Sequence, residues 1–164
     1  MGIRTLVIGG AGFVGFNLVS DLLAAGHTVT VLDALLRPGA AHNIAWLQSH
    51  LQNFRLRIVH ADVRDFDAVQ VAVSDADVIY HLAGQVAVTT SVTEPRSDFD
   101  INALGTLNVL EAARLPGHRP AFVFTSTNKV YSGLEQVAVV EDLYRYRFAD
   151  RPNGISEEQP LDFQ

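Results

Sequence analysis

The fold of this chain is decided by the stretch Leu6-Val-Ile-Gly-Gly-Ala-Gly-Phe-Val-Gly-Phe-Asn-Leu-Val19. An apolar run over residues 3–8 predicts a buried strand, and the apolar series Val14, Leu18, Leu22 and Ala25 predicts a helix that ends at Gly26. Glycines at 9, 12 and 15 lie at the junction between the two. In such a strand–turn–helix unit, free N–H groups at the helix N-terminus can bind a pyrophosphate.

Each of the three glycines has a distinct expected role. Gly9 suits the tight turn, Gly12 leaves room for phosphates, and Gly15 lets the helix pack closely on the strand. Glycine spacing alone also occurs in turns of other α/β proteins, so a second signal is needed. That signal is Asp33, which ends a second predicted strand over residues 28–32, eighteen residues beyond Gly15. An acid there holds a ribose 2′-hydroxyl and repels a 2′-phosphate, which favours NAD over NADP, with Arg37 as a further candidate phosphate contact.

Composition and charge restrict the possible functions. With 164 residues, 48% hydrophobic and 18% charged, the chain fits one folded domain rather than a disordered segment. The net charge of −6 argues against nucleic acid or an anionic membrane as the main partner. Cysteine is absent, the six histidines lack metal-ligand spacing, and no apolar run spans a bilayer. We therefore expect no metal site, no membrane segment and a cytoplasmic location.

The remaining pattern alternates strands and helices. Helices are predicted over residues 43–51, 66–73 (capped by Asp65) and 97–114, and strands over residues 56–61, 77–83 and 121–124. Residues 84–94, rich in threonine and serine, are predicted to form a loop, with Pro95 marking the next helix start. Five strands alternating with helices predict a Rossmann-type, doubly wound parallel α/β sheet of order 3-2-1-4-5, with a ligand crevice at the carboxyl ends of strands 1 and 4.

Every predicted strand carries small or polar residues at its end, at the edge where this crevice forms. They are Gly9, Asp33, Asp62, Leu82-Ala83-Gly84 and Thr125-Ser126-Thr127. Any one of them is compatible with an ordinary turn, but five of five strand ends favour a ligand site. Asp62 and Val63 are candidates for holding an adenine ring. Asn102, within a helix, is a weaker candidate because most helical asparagines are simply solvated.

The domain organisation follows from the change of pattern after Tyr131. Residues 1–131 are predicted to form an NAD-binding domain. Residues 132–164 contain one short apolar run, residues 137–140, and are predicted to form an irregular surface segment close to an active site.

Several motifs together resemble the extended short-chain dehydrogenase/reductase family, the NAD-dependent nucleotide-sugar epimerases and dehydratases. They are Gly9-Gly-Ala-Gly-Phe-Val-Gly15, Asp33, His81-Leu-Ala-Gly84, Asn102-Ala-Leu-Gly-Thr106 and Phe124-Thr-Ser-Thr-Asn-Lys-Val-Tyr131. Three further stretches resemble the CDP-paratose 2-epimerase (CDP-tyvelose epimerase) branch of that family: Gln85-Val-Ala-Val-Thr-Thr-Ser91, Ser126-Thr-Asn-Lys-Val-Tyr131, and Asn153-Gly-Ile-Ser156 with Pro160-Leu-Asp-Phe163. The match spans nearly the whole chain but resembles only the amino-terminal half of a family member.

The resemblance implies an isomerase reaction in two hydride steps on a CDP-sugar. NAD⁺ would take a hydride from C2 of CDP-paratose, and its return to the opposite face would give CDP-tyvelose. Thr127 is implied as the catalytic Ser/Thr, and Gln85, Val86 and Asn128 as substrate neighbours. The implied cofactor-binding residues are Gly9, Gly12, Phe13, Val14, Gly15, Asp33, Arg37, Asp62, Val63, Leu82, Ala83, Gly84, Asn102 and Thr125.

The catalytic Tyr-x-x-x-Lys pair of the family is missing from this sequence. Lys129 is the only lysine, and Thr125 lies four residues before it. We therefore expect no turnover from this chain, and a sheet truncated before its last strands with the nucleotide-sugar lobe absent. The edge at residues 121–124 would then be exposed and covered by a second copy or a complementing chain. Two alternatives stay open: a non-catalytic NAD-binding module or partner subunit, and half of a nucleotide-sugar 4-epimerase or 4,6-dehydratase.

Overall fold

The computed structural model describes residues 2–51, 54–115, 117, 119–131 and 133–161, without the side chains of residues 51, 128 and 129. The chain divides into two compact units, residues 1–125 and residues 126–164, and each is described by itself.

The first unit is built on five parallel strands. They are β1 (Arg4–Ile8), β2 (Thr28–Asp33), β3 (Leu56–His60), β4 (Val78–His81) and β5 (Ala121–Phe124). Their order is β3-β2-β1-β4-β5, so the predicted fold class and strand order are confirmed. Ile8 pairs with Leu32 on one side and His81 on the other. The carboxyl ends of the three central strands therefore lie at one edge of the sheet.

Successive residues of β1 point to opposite faces of the sheet, and each face has its own hydrophobic core. Leu6 and Ile8 pack with residues of α3 (Phe66–Val73) and α6 (Gly105–Arg114). Val7 packs on the other face with residues of α1 (Phe13–Ala24) and α2 (Ala40–Leu51). Both faces are covered, as a parallel sheet requires.

Two helix boundaries follow the sequence signals. The carboxylate of Asp65 accepts a hydrogen bond from the Ala68 N–H at 3.1 Å and caps α3 as predicted. Gly26 follows α1 with φ of +85°, a conformation that glycine adopts without strain. Val14, a member of the apolar series that predicts α1, is exposed, whereas Gly15, Val19 and Leu23 are the buried residues of this helix. The close contact of Gly15 with the glycine turn sets this rotation of the helix.

The loop predicted over residues 84–94 is wrong for part of its length, because α4 (Val88–Thr93) lies within it. Its hydroxyls bond back to the preceding turn: Ser91 Oγ donates to the Val88 carbonyl at 2.8 Å, and Thr93 Oγ1 donates to the Thr89 carbonyl at 3.2 Å. Serine and threonine are compatible with a helix when their hydroxyls bond in this way.

A second helical region follows Glu94, whose backbone is not helical, and within this region the dihedral angles stay helical from one segment to the next. It consists of α5 (Pro95–Phe99), a π-helical turn (Asp100–Leu104) and α6. It starts two residues before the predicted residue 97, with Pro95 as its first residue, where proline is well tolerated.

An apolar stripe of this region faces outward. Gly105, Val109 and Ala112 are buried, whereas Leu104, Leu107 and Leu110 are exposed, Leu107 by 52%. Among the strands that the structure describes, β5 pairs only with β4, and Phe124 is 52% exposed. One sheet edge and one helix face of the first unit are therefore accessible.

The second unit has more regular structure than the sequence predicts. A 3-10 helix (Asn128–Tyr131) precedes an antiparallel hairpin of β6 (Val139–Glu141) and β7 (Tyr146–Phe148). The prediction of an irregular segment is wrong there, because three-residue strands are too short to produce a detectable alternation. The hairpin turn is closed by the Asp142 N–H, which donates to the Arg145 carbonyl at 2.9 Å.

No helix within the described ranges is both long and apolar enough to cross a membrane.

Candidate functional site

The glycine turn between β1 and α1 is closely packed at two of its positions. Gly9 has φ of +82°, and its N–H donates to the Leu32 carbonyl at 2.8 Å. A Cβ on Gly9 would lie 2.6 Å from the Ala83 nitrogen, and a Cβ on Gly15 would overlap the Gly9 carbonyl and lie 2.7 Å from Gly10 Cα. Side chains at either position would therefore push the turn away from the sheet or from the helix.

Gly12 is different, because little in the protein requires a glycine there. A Cβ on Gly12 would meet only the Gly9 carbonyl oxygen, at 3.3 Å, and its φ of −73° suits any residue. Gly12 is the N-cap of α1 and has no side-chain cap, and Phe13 and Val14 follow as the first helical residues. Their N–H groups have no partner inside the helix, and the helix dipole adds positive potential. This open, positively polarised turn fits the pyrophosphate of a dinucleotide.

Asp33 ties the glycine turn to the end of β2. Its Oδ2 accepts from the Ala11 N–H at 3.0 Å, and its Oδ1 accepts from the Leu35 N–H at 2.8 Å. Leu35 adopts φ of +55°, so the second bond holds a strained loop residue in place. A carboxylate has about four acceptor positions, and both oxygens retain capacity for a ribose hydroxyl. The sequence does not reveal the bond to Ala11, since it joins residues 22 positions apart.

These elements border a cavity of about 440 Å³ at the carboxyl edge of the sheet. Among the predicted site residues, it is lined by Gly9, Gly12, Asp33, Arg37, Asp62, Val63, Leu82, Ala83, Gly84 and Gln85. The sequence reasoning missed Leu36, Pro38, Thr90, Ser97 and Ile101, which also line it. Thr90 was missed because residues 84–94 were predicted to form a loop, although Thr90 lies in α4. Ser97 and Ile101 could have been found from the sequence, because residues four apart lie on the same face of a helix.

Asp62 and Val63 form the wall of the cavity beyond β3. Asp62 accepts from Arg64 Nε at 2.9 Å and Nη2 at 2.7 Å, and this pairing lowers the pKa of Asp62 below its usual value. Val63 is buried, and its carbonyl accepts from Asn108 Nδ2 at 2.9 Å. The bond between Val63 and Asn108 thus attaches this wall of the cavity to α6, and the charge of Asp62 is balanced by Arg64.

The opposite wall is formed by the chain that leaves β4. The Leu82 N–H donates to the Ile8 carbonyl at 2.9 Å and extends the sheet by one bond. Arg37 reaches across from the loop after β2, and its Nη2 donates to the Gly84 carbonyl at 3.2 Å. Arg37 therefore lies across the cavity between the two loops.

Other predicted residues lie outside the cavity lining. Gly15 is buried under the turn, and the Phe13 side chain is 86% exposed while its backbone belongs to the helix N-terminus. Asn102 bonds to Gln85, and Thr125 Oγ1 lies 3.4 Å from the His81 carbonyl. Val14 and Val86 have exposed side chains. Thr127 and Asn128 belong to the second unit, and the Asn128 side chain lies outside the described residues.

Within the described ranges, no group of three or more histidine, aspartate or glutamate side chains could hold a metal ion.

Comparison with known proteins identifies the family. A family model described as GDP-mannose 4,6 dehydratase matches residues 6–147. The chain is 45% identical to CDP-paratose 2-epimerase of Salmonella typhi over 98% of its own length and 47% of that protein. It is 40% identical to UDP-glucose 4-epimerase of Mycolicibacterium smegmatis over 85% of its own length and 44% of that protein. The chain therefore spans about half the length of these curated relatives.

A solved structure supports the same assignment. The Thermus thermophilus UDP-glucose 4-epimerase complex with NAD superimposes with a TM-score of 0.58 at 39% identity, over 68% of this chain and 34% of that one. The chain belongs to the GDP-mannose 4,6 dehydratase family of nucleotide-sugar epimerases and dehydratases. The family resemblance read from the motifs is confirmed. The expected cofactor also agrees with this relative, which was solved with NAD.

Proposed function

We propose that the chain is the NAD-binding part of a nucleotide-sugar 2-epimerase that interconverts CDP-paratose and CDP-tyvelose. The cofactor assignment rests on one observation: Gly12, which has free space beside it at the N-terminus of α1, and Asp33 line the same cavity. The 45% identity to the Salmonella typhi 2-epimerase, over nearly the whole chain, supports the choice of reaction. In this proposal residues 1–131 bind the cofactor and residues 132–164 lie close to the active site.

The chain offers separate groups for each part of the cofactor. The N–H groups of Phe13 and Val14 would bind the pyrophosphate, and Asp33 would accept a ribose hydroxyl. Asp62 and Val63 would border the adenine, and the small residues Ala83 and Gly84 would leave space beside β4. When bound, NAD supplies a reversible hydride acceptor for C2 of the sugar.

The remaining site residues are assigned to the sugar. Gln85 lines the cavity, and Val86 follows it with an exposed side chain. Thr127 and Asn128 are proposed to lie near the reacting carbon because they occupy the family motif. The sequence contains no Tyr-x-x-x-Lys, which supplies the general base and its supporting lysine in the family. We therefore expect that these 164 residues alone do not epimerise CDP-paratose, even with saturating NAD.

Cofactor choice tests the proposal directly. Calorimetric titration is expected to show saturable binding of NAD, and at least about tenfold weaker binding of NADP because Asp33 repels the 2′-phosphate. Asp33→Asn removes the charge and is expected to narrow the difference between the two cofactors. Asp21→Asn is the matched control: it removes the same charge from an exposed aspartate in α1 and should leave the preference for NAD over NADP unchanged. Equal affinity of the unchanged chain for NAD and NADP would contradict the role of Asp33.

A second candidate is half of a nucleotide-sugar 4-epimerase, favoured by the 40% identity to the Mycolicibacterium smegmatis enzyme. The mass and the substrate turnover of the protein isolated from its native source distinguish these hypotheses. A mass near twice 17.9 kDa with turnover of CDP-paratose supports the 2-epimerase, and turnover of UDP-glucose instead supports the 4-epimerase. A native mass of 17.9 kDa with NAD binding and no turnover supports a non-catalytic NAD-binding module or partner subunit.

We also propose that a second copy or a complementing chain covers the accessible edge of β5 and the apolar stripe formed by Leu104, Leu107 and Leu110. Unpaired strand edges and apolar patches favour association. Light scattering after size-exclusion chromatography should show a species larger than a monomer. A stable monomer at micromolar concentration would argue against this partner.

A further inference from the structure

A buried histidine at the end of β4 takes part in a chain of hydrogen bonds. His81 is 1% exposed, and its Nε2 lies 3.0 Å from Thr106 Oγ1. Thr106 Oγ1 donates to the Asn102 carbonyl at 2.7 Å, and because a hydroxyl has one hydrogen, we assign the ring proton of His81 to Nε2, which then donates to Thr106 Oγ1. His81 Nδ1 is then an unprotonated acceptor, and it has no partner among the described residues. Burial lowers the pKa of His81 to about 4, which keeps the ring neutral at pH 7.

The Asn102 side chain continues this chain of bonds to the cavity wall. Its Oδ1 accepts from the Gln85 N–H at 2.8 Å, and its Nδ2 donates to the Gln85 carbonyl at 3.0 Å. One side-chain amide thus pairs with both backbone groups of one residue, as a neighbouring strand would. The second hydrogen of Nδ2 goes to Asp98 Oδ1 at 3.1 Å, so both donors of the amide are in use.

The path of the helix brings Asn102 close to the loop. Asn102 lies in the π-helical turn, a feature that often occurs at functional sites. Gly105, which follows the turn, packs so tightly that a Cβ would lie 2.5 Å from Val63 Cγ2. On the loop side, a Cβ on Gly84 would lie 3.2 Å from Asn102 Oδ1. Glycines on both sides therefore permit the close approach that the hydrogen bonds require.

We propose that His81, Thr106 and Asn102 form a positioning network that holds the backbone of Gln85, and with it Ala83 and Gly84, in the geometry that cofactor binding needs. These are positioning residues, because Asn102 has no donor left for a cofactor and acts through the Gln85 backbone. The role in cofactor binding rests on the proposed function, whereas the network itself rests on the hydrogen bonds above.

Hydrogen exchange of the Gln85 N–H, followed by NMR in the 164-residue chain, reports the network directly. The Gln85 N–H is expected to be protected although it lies outside every helix and strand. Thr106→Val removes the hydroxyl at nearly constant volume and should raise the Gln85 exchange rate and the Kd for NAD by about 5- to 10-fold each. The Leu82 N–H, bonded to Ile8, should keep its exchange rate.

Two further variants separate positioning from general destabilisation. Thr106→Ser retains the hydroxyl and should restore the unmodified values. Thr5→Val is the matched control, because it removes a similar threonine bond, from Thr5 Oγ1 to the Thr28 carbonyl at 3.1 Å, at the opposite end of the paired strands. It should leave both the Gln85 exchange rate and the Kd for NAD unchanged.

The outcomes distinguish the network from the proposed function. Unchanged Gln85 exchange in Thr106→Val overturns the network, and faster exchange with unchanged NAD affinity overturns its positioning role. If the unmodified chain does not bind NAD, the proposed function and the positioning role both fail, while the exchange rates still decide the network. If Thr106→Val does not fold, nitrogen-15 NMR of the unmodified chain decides: the His81 ring protonated at Nε2 supports the network, and protonation at Nδ1 overturns it.

Discussion

Acidification is expected to destabilise the first unit through protonation of His81, at pH values well above those at which the aspartate and glutamate side chains of the unit are protonated. His81 is buried beside Phe122 and Phe124, with ring centroids 6.2 and 5.8 Å away. Burial disfavours the imidazolium, so the pKa of His81 falls from 6.5 to about 4 in the folded chain. Between these two values the unfolded chain binds a proton that the folded chain does not. The stability contribution of neutral His81 is therefore complete above pH 6.5 and is lost as the pH falls towards 4.

The size of the effect follows from the difference between the two pKa values. The fall in the pKa of His81 from 6.5 to about 4 corresponds to about 3 kcal/mol of unfolding free energy, of which about 2 kcal/mol is lost by pH 5. Small domains have about 5–15 kcal/mol in total, so the loss is easily measured. Pairing with Arg64 lowers the pKa of Asp62, whose contribution is therefore lost only below its ordinary value of 3.8.

Urea denaturation at a series of pH values between 7 and 5 measures this loss. The unmodified chain should lose about 2 kcal/mol over the interval, and the slope with pH should be nearly absent in His81→Phe, which cannot be protonated. His27→Phe, at a half-buried position next to Gly26, is the matched control and should keep the slope. An equal slope in His81→Phe and the unmodified chain would refute the assignment to His81.

The remaining predictions concern the glycine turn and a helix cap. Gly15→Ala should destabilise the chain by about 1–3 kcal/mol in urea denaturation, because the new methyl group overlaps the Gly9 carbonyl; unchanged stability would contradict this close packing. Gly12→Ala should keep the unfolding free energy within about 1 kcal/mol while raising the Kd for NAD at least about tenfold, and equal NAD affinity would remove the pyrophosphate from this turn. Asp65→Ala should cost about 1 kcal/mol through loss of its bond to the Ala68 N–H, whereas the exposed change Asp67→Ala should cost less; equal losses would contradict the capping role.

The features that the sequence predicts well are local ones. The glycine turn, the Asp65 cap and the five strands depend on residues within a few positions of each other, and the structure confirms them. The strand order follows because right-handed crossovers leave few arrangements for this pattern. The position of Asp33 at the cavity could be predicted for the same reason, since it directly ends β2.

The features that the sequence conceals depend on tertiary structure. The bonds of Asp33 to Ala11 and of Asn102 to Gln85 join residues 22 and 17 positions apart, so no local pattern records them. Intrinsic preference argues against α4, whose threonine and serine hydroxyls are satisfied only once its backbone is folded. The exposure of the apolar stripe (Leu104, Leu107 and Leu110) could not be predicted either, because helical periodicity identifies an apolar face but not the element that covers it.

The central claim is that the glycine turn and Asp33 together bind NAD, and amide chemical-shift mapping by NMR during a titration with NAD tests it most directly. We expect saturable shifts that are largest at Gly12, Phe13, Asp33 and Gly84, and smaller shifts at equal concentrations of NADP. No shifts at millimolar NAD, or shifts confined to residues 126–164, would contradict the claim.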